Sequence, residues 1–114
     1  MPELEQQWVS VARLADVPPG TVKGVQVAEH SLALINVDGS VYAVNGICPH
    51  RGGPLASGRL IKGELSCPWH GFRYDPRTGR ATMPAQHPGV ETFSVRIVGD
   101  AIQVALASDS GKHR

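Results

Sequence analysis

Two short stretches decide how this chain folds: CPHRGGPL at residues 48–55 and CPWHGFRYD at residues 67–75. In each, a proline follows the opening cysteine, and a histidine comes two residues after the first cysteine and three residues after the second. One thiolate and one imidazole therefore stand on each of two glycine- and proline-containing segments. Thiolates and imidazoles are ligands that iron and zinc prefer. The pattern predicts a metal site with four ligands: Cys48, His50, Cys67 and His70.

A disulfide between the two cysteines of the chain is the simplest alternative. Residues 1–8 contain Glu3 and Glu5, where a secretory signal has basic residues and then an apolar stretch. We therefore expect a cytoplasmic protein, in a compartment where thiols stay reduced. Metal binding is favoured over a crosslink for this reason, and the use of both cysteines beside histidines supports it.

Around these stretches the sequence indicates an all-β protein of one domain, residues 1–114. Thirteen glycines and nine prolines separate short runs, and no long run keeps the 3.6-residue apolar period of a helix. The predicted strands are 8–13, 22–28, 31–37, 41–44, 91–98 and 101–106. Asp38-Gly39 and Gly99-Asp100 are predicted hairpin turns. In 91–98, Phe93, Val95 and Ile97 alternate with polar residues, which predicts a strand with one buried face.

The middle of the chain, residues 46–88, is richer in glycine, proline, cysteine and histidine and poorer in alternation than the ends. We predict that it forms a loop-built insert on a β base, with the metal site inside it at about residues 46–83. The polar tail 108–114 is predicted to be frayed.

The two quoted stretches resemble the ligand motifs of the Rieske family, in which C-x-H is followed, after a spacer, by C-x-x-H. The resemblance is strongest over residues 41–80. It implies an antiparallel β-sandwich base with a cluster-binding insert and one [2Fe-2S] cluster. In that family the two cysteines, here Cys48 and Cys67, bind one iron, and the two histidines, here His50 and His70, bind the other.

The mixed ligand set has a consequence for the reduction potential. Two ferric ions, two sulfides and two thiolates sum formally to zero charge, so adding an electron costs less than in an all-cysteine cluster, and Rieske potentials span about −150 to +300 mV. High-potential relatives have a pair of linked cysteines at the places of Gly53 and Trp69, and a serine donor at the place of Phe72. These departures predict a potential at the low end of the range. They make the chain more similar to Rieske ferredoxins and to nitrite reductase small subunits.

Several residues near the ligands have more than one interpretation. Trp69 could shield the cluster, contact a partner or be a core residue. The glycines at 52, 53 and 71 could let the backbone approach the cluster or serve only the turns. Residues 84–89 resemble the proline-containing loop that covers the cluster in this family, and His87 within it is expected to be a surface histidine.

The resemblance implies a one-electron shuttle, not an enzyme, between a flavin-dependent ferredoxin reductase and a terminal oxygenase. The alternatives are a small subunit of an assimilatory nitrite reductase and, less favoured, a structural zinc module. A catalytic oxygenase needs a further domain for its mononuclear iron, which 114 residues do not accommodate. The net charge of +1 predicts no nucleic-acid partner, and no window is apolar enough to span a membrane.

Charge is distributed unevenly along the chain. The cluster-binding part of the insert, residues 46–83, has six basic residues and two acidic ones, which gives +4, whereas the remainder of the chain carries −3. The six are Arg51, Arg59, Lys62, Arg73, Arg77 and Arg80. The segregation predicts that the cluster end meets an acidic surface of the redox partner, with Arg51 and Arg73 contributing.

Overall fold

The computed structural model describes residues 8–27, 29–47, 53–69, 71–83 and 85–106, which form strands, turns and two 3-10 turns (Leu14–Asp16 and Leu55–Ser57). The strands in chain order are β1 Trp8–Arg13, β2 Val22–Val27, β3 His30–Val37, β4 Ser40–Asn45, β5 Arg59–Ile61, β6 Glu64–Ser66, β7 Arg73–Tyr74, β8 Ala81–Met83, β9 Thr92–Phe93, β10 Val95–Val98 and β11 Ala101–Ala105. They form three antiparallel sheets with the orders β1-β11-β10, β2-β3-β4-β9 and β5-β6-β7-β8. The predicted all-β class is confirmed.

The predicted strands of the N-terminal half agree with β1 to β4 to within a residue or two at the ends. The predicted turn between β3 and β4 is present, because Asp38 and Gly39 have φ values of 54° and 99°. Two successive positive φ values define the tight hairpin turn whose twist matches that of its strands. At the other predicted turn, between β10 and β11, Gly99 has a φ of 63°.

The prediction of a single strand over 91–98 is wrong. Residues of β9 pair with β4, whereas β10 pairs with β11, so the chain changes sheet at Ser94. Ile97 is 43% exposed instead of buried. Its partner is Ile102, but β10 is the edge strand of its described sheet and leaves Ile97 uncovered on one side. The alternation of apolar and polar residues continues through Ser94, so the sequence pattern gives no sign that the chain changes sheet there.

The second sheet is the middle layer of the molecule, and β3 is buried on both faces. Leu32 and Leu34 belong to one core cluster with Ile102 of β11, which packs the first sheet on the second. Ala33 and Ile35 belong to another cluster that includes residues of the insert. A strand covered on both sides is expected to be continuously apolar. The predicted β-sandwich base is therefore present, with the insert packed on its outer face.

The insert contains more regular structure than its glycine and proline content indicated. Strands β5 to β8 form a small sheet, each strand having two or three residues. Strands this short show no readable alternation. The turn between β5 and β6 uses Lys62 and Gly63, whose φ values are 51° and 83°. The tail 108–114 lies outside the described residues, and the described part has no helix long and apolar enough to cross a membrane.

Candidate metal centre

Cys67 directly follows β6 and lies in the interior, with 1% of its surface exposed. It belongs to the core cluster that joins the insert to the middle sheet, together with Leu65 and Tyr74. Its backbone N–H donates to the carbonyl oxygen of Phe72 at 2.8 Å. This bond continues the β6–β7 ladder and closes a loop over residues 68–71. The second motif is therefore a hairpin loop that begins at a buried thiol.

The ends of the first motif are held by backbone contacts. Ile47 and Pro54 form an isolated antiparallel bridge on either side of the segment 48–52. After it, the N–H of Ala56 donates to the carbonyl oxygen of Gly46 at 3.1 Å. The predicted ligands in this segment, Cys48 and His50, lie outside the described residues, as does His70 of the second motif. The structure thus places one of the four predicted ligands and the flanks of the other three.

Gly53 brings the two motifs together. A Cβ atom built on this residue would lie 3.1 Å from the Sγ atom of Cys67 and 3.1 Å from the ring of Trp69. The end of the first motif therefore touches both the thiol and the indole of the second. The absence of a side chain at Gly53 is what allows this close approach. A buried thiol in close contact with the companion cysteine–histidine motif fits a residue that binds a metal cluster.

Three rings, those of Phe72 and Tyr74 in the second motif and that of His87, pack together, and this packing corrects the expectation for His87. The ring of His87 contacts Phe72 edge to face, with centroids 4.8 Å apart, and lies 6.4 Å from the ring of Tyr74. His87 is half-buried, so it is not the surface histidine that the sequence indicated. Sequence reasoning missed this packing because the loop around His87 contacts strand β7 only through the tertiary fold.

Comparison with known proteins identifies the domain. The family profile described as "Rieske [2Fe-2S] domain" matches residues 7–103. The chain belongs to this family. The ferredoxin component of the naphthalene 1,2-dioxygenase system of Pseudomonas aeruginosa is 33% identical over 104 residues, which cover 91% of this chain and 100% of that protein.

Solved structures give the same result for the fold of this Rieske domain. A chain of the complex of reduced oxygenase and oxidized ferredoxin in carbazole 1,9a-dioxygenase superimposes with a TM-score of 0.80 at 29% identity, covering 91% of this chain and 97% of that one. A Mycobacterium tuberculosis protein described as "putative NADH-dependent nitrite reductase small subunit" gives a TM-score of 0.81 at 22% identity, covering 91% of this chain and 98% of that one. The second likeness concerns the fold alone.

The comparisons confirm the coarse predictions made from the sequence. The Rieske family, the antiparallel β fold and an electron carrier of the ferredoxin type are all borne out. A Rieske-type iron–sulfur cluster is the cofactor of this family.

Some basic residues of the insert form ion pairs with acidic residues of the same insert. Arg73 lies 3.9 Å from Glu64 and Arg77 lies 3.8 Å from Asp75, measured between guanidinium nitrogen and carboxylate oxygen. Arg73 is therefore partly neutralised, which weakens its predicted contribution to partner recognition.

Arg59 is exposed, and the sequence indicated it only as one of the six basic residues of the insert. It lies opposite Ser66 in the β5–β6 pair and lines an open cleft of about 370 Å³ beside Cys67. Its place in the same cleft as Cys67 follows from strand register, which the sequence does not reveal. Arg59 therefore shares a cleft with one residue of the proposed site.

Proposed function

We propose that this single Rieske domain, residues 1–114, is a cytoplasmic one-electron carrier without a catalytic site of its own. It holds one [2Fe-2S] cluster, with Cys48 and Cys67 on one iron and His50 and His70 on the other. The observation that carries the proposal is the meeting of the two motifs: the buried thiol of Cys67 lies against Gly53, at the end of the segment that contains Cys48 and His50. When bound, such a cluster takes up and gives back one electron.

The residues of the chain have distinct tasks in this proposal. Cys67 supplies a thiolate from the floor of the site, where the surrounding core keeps it from solvent. His70, three residues further along the chain, supplies an imidazole in this proposal.

We further propose that the carrier accepts electrons from a flavin-dependent ferredoxin reductase and delivers them to a terminal oxygenase. The support comes from relatives that match this chain over nearly their whole length. One is named as the ferredoxin component of a dioxygenase system, and another belongs to a solved complex of ferredoxin with oxygenase.

Stopped-flow spectroscopy with a ferredoxin reductase and a Rieske oxygenase tests this function. We expect the purified protein to be reduced by the reductase and reoxidised by the oxygenase in single turnovers, and Cys67→Ser to do neither. The chain alone, mixed with an aromatic substrate, oxygen and reductant, is expected to give no product. Product formation by the isolated chain, or a failure of every oxygenase tested to reoxidise it, would contradict the proposal.

The charge distribution gives a prediction about rate. Reduction by the physiological reductase should slow as salt increases, because the Debye length falls to about 10 Å at 0.1 M salt. Arg51→Glu or Arg59→Glu should slow it by at least about twofold at low salt, since steering acts on the encounter rate. Lys23→Glu makes the same charge change at an exposed position of β2 in the base. We expect little effect from this control. A rate that is flat or rises with salt would rule out steering by the insert.

A further inference from the structure

Three groups meet at one point between the two motifs: the backbone of Gly53, the Sγ atom of Cys67 and the indole of Trp69. Carbons Cδ2 and Cε3 of the indole and the Sγ atom each lie 3.1 Å from the place where a Cβ of residue 53 would stand. Gly53 is buried and Cys67 is 1% exposed, whereas Trp69 is 48% exposed. The indole therefore has its fused-ring edge on the protein, and about half of the residue's surface is in water.

We propose that Trp69 is a positioning residue that keeps water from the Cys67 sulfur and holds the end of the first motif against the second, and that Gly53 is the residue that permits this contact. The proposal rests on the function proposed above, because it concerns the surroundings of a ligand. Trp69 comes from the hairpin loop of the second motif, and Gly53 ends the first. Their contact therefore links the two loops without a covalent bond.

Shielding of the Cys67 sulfur is expected to change the reduction potential in one direction only. The reduced cluster carries one more negative charge than the oxidised one, so water near a ligand sulfur stabilises the reduced state. A bulky indole that excludes water favours the oxidised state and lowers the potential. Removal of the indole should therefore raise the potential and expose the site to loss of metal.

Gly53 is required by space, not by backbone conformation, since its φ is outside the left-handed region. An alanine methyl group here would meet two neighbours at 3.1 Å, closer than ordinary van der Waals contact. The Sγ atom lies in the core and cannot retreat, whereas the half-exposed indole can swing into solvent. Gly53→Ala should thus displace Trp69 and reproduce, in part, the loss of the indole.

An exposed tryptophan could instead serve only to bind the redox partner. That alternative makes a different prediction, because a residue that acts only on a partner has no effect on the potential or the cluster retention of the isolated protein. Measurements on the purified protein alone therefore separate the two roles.

The test compares Trp69→Ala, Trp69→Phe, Gly53→Ala and the double variant Gly53→Ala/Trp69→Ala. Voltammetry gives the reduction potential, and the visible absorbance in air gives the rate of cluster loss. We expect Trp69→Ala and Gly53→Ala to raise the reduction potential and to speed cluster loss. For Trp69→Ala the rate of cluster loss should rise about tenfold, because losing one good contact lowers the barrier to opening of the site by that factor. The phenyl ring of Trp69→Phe should keep most of the wild-type behaviour. The double variant should match Trp69→Ala, because Gly53→Ala acts through the indole.

Trp8 provides the matched control, because it is the other of the two tryptophans and lies on β1 beside Arg96, in the base. Trp8→Ala should leave the potential unchanged. In a Trp8→Phe background, the emission of Trp69 should shift to longer wavelength when Gly53→Ala is added, with or without metal, as the indole moves into water.

Two results overturn the inference. Unchanged potentials and rates of cluster loss in Trp69→Ala and Gly53→Ala, in a protein whose wild type has a normal Rieske spectrum, would reject it while leaving the proposed function intact. A wild type without a cluster would reject both proposals together. If Trp69→Ala folds poorly, the inference is tested by the potentials and rates of cluster loss of Trp69→Phe and Gly53→Ala and by the emission shift.

Discussion

Alanine substitution of Cys48, His50, Cys67 or His70, one at a time, is expected to reduce the bound iron to at most roughly a tenth of the wild-type content. One missing ligand leaves an open iron position, and even the loss of groups that only support ligands costs metal sites about 10- to 100-fold in affinity. Both cysteines of the chain are proposed ligands, so no disulfide holds the loops together and nothing covalent compensates. Iron and sulfide analysis, with the visible spectrum, measures the effect.

Two histidines outside the proposed ligand set serve as controls for these substitutions. His30 begins β3 in the base and contacts Phe93 edge to face at 6.2 Å, and His87 packs on Phe72 beside the site. We expect His30→Ala and His87→Ala to retain the cluster. A ligand variant that keeps its full iron content and an unchanged spectrum would show that the residue is not a ligand.

Gly58→Ala is expected to destabilise the protein by at least about 2 kcal/mol, because an added methyl group would overlap the backbone carbonyl of Ser66. Gly58 has an extended backbone with φ at −76°, so space alone, and not backbone strain, causes the effect. A backbone atom cannot turn aside as a side chain can. Strand β6 must therefore shift, and with it Cys67, the next residue along the chain.

Urea unfolding of the two proteins measures this difference, and the iron content reports whether Cys67 has moved. The neighbouring substitution Ser57→Ala is the control, since Ser57 is exposed at the end of the 3-10 turn Leu55–Ser57, directly before Gly58. We expect the urea midpoint of Ser57→Ala to stay close to that of the wild type. Equal stability of Gly58→Ala and wild type would mean that β5 and β6 do not approach each other as described.

Much of the fold could be predicted because its signals are local. The turn at Asp38-Gly39 requires two positive φ values, and the flanking β-branched residues favour strands, so the β3–β4 hairpin is readable from adjacent residues. The ligand motifs are local as well. Two cysteine–histidine pairs within a few residues of each other were enough to indicate the family.

The features that could not be predicted depend on contacts between distant parts of the chain. The change of sheet at Ser94 is decided by which strands lie beside it, β4 on one side of the break and β11 on the other. His87 is half-buried because the tertiary fold brings Phe72 to it. The meeting of Gly53 with Trp69 likewise needs both loops in place, so the sequence left three interpretations of Trp69 open.

The central claim is that Cys48, His50, Cys67 and His70 hold a [2Fe-2S] cluster. EPR and absorption spectroscopy of the purified protein, combined with iron, zinc and sulfide analysis, test it most directly. We predict a coloured protein with two iron and two sulfide ions per chain, and an EPR signal of the Rieske type that appears only after reduction. Cluster content should rise in cells supplied with iron. A colourless protein that contains one zinc ion and no sulfide would contradict the claim and make the site a structural zinc site instead.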